Sequence, residues 1–170
     1  MIPSYARTIV EEVMPQVEKA YNVTKDRTQR AIAGLSMGGA EATFVGLNHL
    51  DKFAYVGSFS GAYVMWPGAR GAAPAGGGGG RGGPSNIDAA AMPKNFRNLN
   101  AKSSAQLKLL WIACGTADGL VGVNRQFRDW LQTQNVALTY TEIPDIGHVW
   151  PLWRQNLTDL APLLFQMKAK

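Results

Sequence analysis

Four strand-like runs, residues 30–34, 53–59, 107–114 and 136–143, alternate with helical stretches along the chain. Each strand is separated from the next by a connection long enough to cross over the sheet. That order implies parallel pairing with helices on both faces, and so an α/β fold. Arg30-Ala31-Ile32-Ala33-Gly34 is too apolar to be a half-exposed strand. Residues 4–21 read as a helix, with Tyr5, Ile9, Val13, Val17 and Tyr21 spaced by four, and Pro15 is expected to break or restart it. A second helix runs from after Ser36 to about Asn48. A third spans Asn124 to Gln134 with Val123, Phe127, Trp130 and Leu131 as its apolar face, and a last one occupies roughly Leu152 to Gln166.

With 170 residues, 46% of them hydrophobic and 17% charged, the chain has enough apolar material for the core of one globular domain. Gly, Pro or charged residues interrupt every apolar run before about 18 residues, so no membrane span is expected. The net charge of +5 comes from scattered Lys and Arg, without a basic stripe, and nucleic-acid binding is not expected. Two histidines and one cysteine make a dedicated zinc site improbable, and Cys114 alone is silent about redox compartment. The first residues lack the basic and apolar regions of a secretory signal, so either the protein stays inside the cell or its leader lies outside this chain. Gly68 to Pro84 reads as a flexible Gly-rich insertion that cannot bury a core. It matches G-x-G-x-x-G, but no strand leads into it and no helix follows, so the dinucleotide reading fails.

The chemistry-bearing motif is Gly34-Leu35-Ser36-Met37-Gly38, set between a strand and the small-residue helix Gly39-Ala40-Glu41-Ala42. A serine hydroxyl is a poor nucleophile unless a tight turn exposes it beside a base and near N–H donors. Gly34 and Gly38 are expected to permit that turn by lacking a Cβ. An acid and then a histidine should follow on loops after later strands. Asp118 lies in Gly115-Thr116-Ala117-Asp118-Gly119 after the third strand, and His148 in Pro144-Asp145-Ile146-Gly147-His148 after the fourth. The C-terminal edges of parallel strands are where such sites assemble. His148 is expected to take and return the Ser36 proton, Asp118 to fix the imidazole, and the Met37 N–H to serve an oxyanion.

Other readings were open for neighbouring residues. Asp145 competes as the acid but reads as a turn residue, and His49 reads as a helix cap. Ser60 is the runner-up nucleophile, with Ser58 beside it at the strand end, and Cys114 reads as a small core residue. Trp150 either walls a substrate pocket or packs the last helix, whereas Trp153 reads as core packing.

Taken together, Gly34–Gly39, Phe53–Gly61, Cys114–Asp118 and Gly147–Trp150 resemble the feruloyl esterase and acetyl xylan esterase group of α/β hydrolases, and enterochelin-esterase-like and esterase-D-like proteins. The resemblance implies a serine carboxylesterase without metal or organic cofactor, acting on acyl esters such as those on plant polysaccharide, and often secreted. Acyl transfer to another alcohol is a close variant, and a non-catalytic fragment or binding module that keeps the sheet is the alternative of another class. The resemblance also implies strands ahead of the first helix that this chain lacks, together with the loop that usually supplies a second oxyanion donor. Residues 30–34 are then an open sheet edge, expected to pair with a second copy in a homodimer or to aggregate, unless the chain is part of a longer product.

Overall fold

A computed structural model describes residues 2–69 and 86–166. The Gly-rich insertion expected at 68–84 lies, except for Gly68 and Ala69, outside the described residues. The elements run in the order α1 (Ile2–Arg7), a π-helical stretch (Thr8–Val13), α2 (Met14–Ala20), β1 (Ala31–Leu35), α3 (Met37–Asn48) and β2 (Tyr55–Phe59). Next come α4 (Met92–Asn95), α5 (Ala101–Ser104), β3 (Leu109–Gly115), α6 (Val121–Thr133), β4 (Thr139–Ile143) and α7 (Trp150–Leu160).

All four strands are parallel, in the order β1-β2-β3-β4, with Ala33 opposite Gly57, Gly57 opposite Trp111 and Trp111 opposite Thr139. Alternation along the strands separates two packed faces. Val56, Leu110 and Ile112 join the larger core with Ala40 and Leu47 of α3 and Phe127 and Leu131 of α6. Phe59, Trp111 and Ala113 point the other way and pack with Leu160 and Trp153 of α7. Helices therefore cover both faces, and β2 is buried along its whole length. The apolar face expected of α6 is in place, with Val123, Phe127, Trp130 and Leu131 all buried.

At the front, Pro15 restarts the helix, as expected; it occupies the first turn of α2, and the chain upstream widens into the π-helical stretch. A proline inside a helix removes a donor and crowds the preceding turn, and a wider turn relieves both. The row Tyr5, Val13, Val17 and Tyr21 is not the buried face, because all four are exposed, and Ile2 and Ala6 are buried instead. A strict spacing of four drifts around a helix of 3.6 residues per turn, so only part of such a row faces the core.

The crossover from β2 to β3 brings Met92, Phe96 and Leu99 into the core. Phe96 meets Trp66 and Phe127 edge to face or tilted, with centroids 5.1 and 5.7 Å apart. The Trp66 indole N–H donates to the Ala40 carbonyl at 3.0 Å and so ties the crossover to α3.

Candidate active site

Ser36 sits between the end of β1 and the start of α3, with φ 53° and ψ −117°. That region is costly for a residue with a Cβ, by about 1–3 kcal/mol, and it persists only where the surroundings enforce it. They do so here through three hydrogen bonds. The Ser36 N–H donates to the Phe59 carbonyl at 2.8 Å, and its own carbonyl accepts from Ala62 at 2.8 Å and Ala40 at 3.2 Å. Gly34 is required, because a Cβ there would overlap the Gly38 carbonyl. Gly38 is not, since a Cβ on it would meet open space, and the expectation that both glycines serve the turn holds for Gly34 alone.

Asp118 follows β3 on the loop into α6, and His148 follows β4 on the loop into α7. The two loops are stitched together. Thr116 N–H donates to Ile143 O at 2.9 Å, Ala117 N–H to Ile146 O at 3.1 Å, and Asp145 N–H to the Thr116 hydroxyl at 2.9 Å. Asp145 has φ 56° and is exposed, so it is a turn residue and not the acid.

The result is one hydrogen-bonded chain of three side chains. His148 Nδ1 lies 2.8 Å from Asp118 Oδ2, and His148 Nε2 lies 3.0 Å from Ser36 Oγ. The Asp118 side chain is 1% exposed, whereas His148 opens to solvent at 36%. Burial pushes the Asp118 carboxyl up. Hydrogen bonds from His148 (2.8 Å) and the Leu120 N–H (2.9 Å) outweigh it and leave the group below the usual carboxylate range. An ionised carboxylate only accepts, so in the neutral imidazole Nδ1 carries the hydrogen and Nε2 is free to accept from the Ser36 hydroxyl. That polarity is what deprotonation of Ser36 during attack requires.

Met37 is the first residue of α3, where N–H groups have no acceptor in the preceding turn of helix. Its backbone N–H is therefore at the helix end beside Ser36, where the dipole favours negative charge. Trp150 opens α7 and is 64% exposed. It meets Trp153 edge to face at 5.5 Å, and Trp153 meets His148 in the same way at 4.8 Å. Ser60 is fully buried, which removes it as a nucleophile for any substrate. Cys114 is also buried, its thiol pushed up to about 12 by burial and then by the Asp118 charge, and it is a core residue. His49 caps α3 through its N–H to Val45 O at 3.0 Å.

Sequence reasoning missed the buried side chains behind the chain of three. Asn124 of α6 donates to the Gly61 and Leu120 carbonyls, each at 2.9 Å, and so binds the loop after β2 to the loop that carries Asp118. Ser60 offered a signal, being a polar residue at the end of an apolar strand, but its partners are remote in sequence.

The sequence model of a family described as "Putative esterase" matches residues 2–164. The chain belongs to this esterase family. It is 22% identical over 162 residues to an endo-1,4-beta-xylanase/feruloyl esterase of Xylanibacter ruminicola, covering 95% of this chain and 18% of that protein. It is 29% identical over 185 residues to a diacylglycerol acyltransferase/mycolyltransferase of Mycobacterium leprae, covering 94% of this chain and 55% of that protein. Among solved structures, a ferulic acid esterase superposes with a TM-score of 0.68 at 27% identity, over 93% of this chain and 59% of that one. The chain thus spans little more than half the length of two of these proteins and under a fifth of the third. The fold is that of the α/β-hydrolase-like esterases.

Proposed function

We propose that this protein is a serine carboxylesterase in which Ser36 is the nucleophile, His148 the general base and acid, and Asp118 the group that orients and stabilises the imidazolium. The observation that carries the reading is the unbroken chain Ser36 Oγ, His148 Nε2, His148 Nδ1, Asp118 Oδ2, at 3.0 and 2.8 Å. Ser36 Oγ attacks the ester carbonyl carbon as its proton passes to His148 Nε2. The tetrahedral oxyanion receives a hydrogen bond from the Met37 N–H. Collapse breaks the carbon–oxygen bond of the ester, and the departing alcohol takes the proton from His148. Water then attacks the acyl-serine and gives its proton to His148. The carboxylic acid leaves, and the Ser36 hydroxyl is restored.

An acyl ester is the substrate class. The feruloyl and ferulic acid esterases among the similar proteins favour feruloyl esters, and acetyl esters of plant polysaccharide fit the same chemistry. Trp150, exposed beside His148, is the candidate wall for the acyl group. Transfer of the acyl group to an alcohol in place of water is a second reading, supported by the similarity to the mycobacterial acyltransferase. The test compares wild type with Ser36→Ala on methyl ferulate and p-nitrophenyl acetate. Hydrolysis by wild type that is lost in the variant is expected, and equal rates would overturn the proposal. Added glycerol or a sugar that diverts product from the free acid to a new ester would favour transfer.

A further inference from the structure

Ser60 and Trp153 lie against the reacting chain and have no part in the proton transfers above. Ser60 is fully buried, and its φ is 48°, a region costly for any residue other than glycine. Its N–H donates to Ala113 O at 2.8 Å, which fixes it at the mouth of the sheet between β2 and β3. Its hydroxyl oxygen accepts from the Trp153 indole N–H at 3.3 Å, and the Cys114 thiol stands 4.0 Å away. Trp153 in turn stands across the His148 ring, with centroids 4.8 Å apart and planes at 82°. One buried hydroxyl therefore anchors the indole that stands against the imidazole.

We propose that Ser60 and Trp153 act as a positioning pair for His148. Ser60 Oγ anchors the indole, and the indole fixes the tilt of the imidazole so that Nε2 faces Ser36 Oγ. The pair acts through His148 and takes no proton itself. This inference rests on the serine-esterase reading, and it adds a second restraint on His148 that is independent of the Asp118 hydrogen bond to Nδ1. Orientation of a base matters to the rate because a displacement of about 1 Å can cost on the order of 100-fold.

The test uses the full chain as wild type, Ser60→Ala, Trp153→Phe and the double variant. Trp153→Phe keeps an aromatic ring at this position and removes the indole donor together with its five-membered ring. The measurements are the rate of covalent labelling of Ser36 by a fluorophosphonate, kcat and KM for p-nitrophenyl acetate, and the folded fraction by circular dichroism. Each single variant is expected to label and turn over about 10- to 100-fold more slowly, with KM within about twofold of wild type. The double variant is expected to be no slower than the slower single one, because both changes cut the same link. Labelled wild type with variants that react at the wild-type rate would overturn the pairing alone. So would losses that multiply in the double variant, or that track loss of folded protein. Wild type left unlabelled at Ser36 would overturn the esterase reading and this inference with it.

Discussion

At the scale of single residues, the site is governed by one buried carboxylate. Because the Asp118 pKa is lower in the folded protein than the ordinary value of 3.8, the unfolded chain binds the proton more readily. Asp118 thus contributes stability that is present above about pH 4 and is lost as the pH falls through its folded value. Urea unfolding between pH 3 and pH 7 should show this fall in wild type and a flatter acid limb in Asp118→Asn. The same substitution leaves the side chain in place but accepts and donates differently, and so sets the wrong imidazole tautomer. Its kcat is expected to fall by about 10⁴-fold, as measured on p-nitrophenyl acetate. Trp150→Ala removes an exposed aromatic wall and is expected to raise KM for an aryl ester by roughly 10-fold, with kcat little changed. An unchanged KM together with a loss of folded stability would assign Trp150 to packing.

At the scale of elements, the turn from β1 into α3 carries the argument. Gly34→Ala forces a Cβ into the Gly38 carbonyl and is expected to destabilise the protein by about 3 kcal/mol or more by chemical denaturation. Gly38→Ala meets open space inside a helix, and is expected to be neutral or stabilising by up to about 1 kcal/mol. Sequence reading treated these two glycines alike, because a motif shows which residues flank a turn and not which of them face backbone. The strands, α3, α6 and the positions of Ser36, Asp118 and His148 were legible for a physical reason: each of the three follows a strand on a short loop of turn-forming residues. The burial of those strands was less legible: β3 is buried beyond its first residue, whereas β1, expected to be too apolar to lie half exposed, is only partly buried as the sheet edge, and so is β4. The crossover through residues 86–106 was not, since its short helices carry no sustained period and their apolar residues reach the core singly. The Trp153 bond to Ser60 was equally hidden, because it spans 93 positions and depends on how α7 lies across the sheet.

At the scale of the whole molecule, β1 is an edge of the sheet among the described residues, and its outer side offers backbone groups to a further strand. We propose that this edge pairs with a second copy or aggregates, unless the chain is part of a longer product. Light scattering across a concentration series should give a mass that rises toward that of a dimer, and a stable monomer at high concentration would count against edge pairing. The sheet also explains how residues 112 positions apart come within hydrogen-bond distance, since β1, β3 and β4 all deliver their following loops to the same end. The account as a whole depends on Ser36 being activated in that setting. The most direct measurement is covalent labelling with a fluorophosphonate followed by peptide mass spectrometry, on folded wild type and on Ser36→Ala. Wild type should carry one phosphonyl group at Ser36, and the variant none. Folded wild type that stays unlabelled, or a variant labelled to the same extent, would contradict the account.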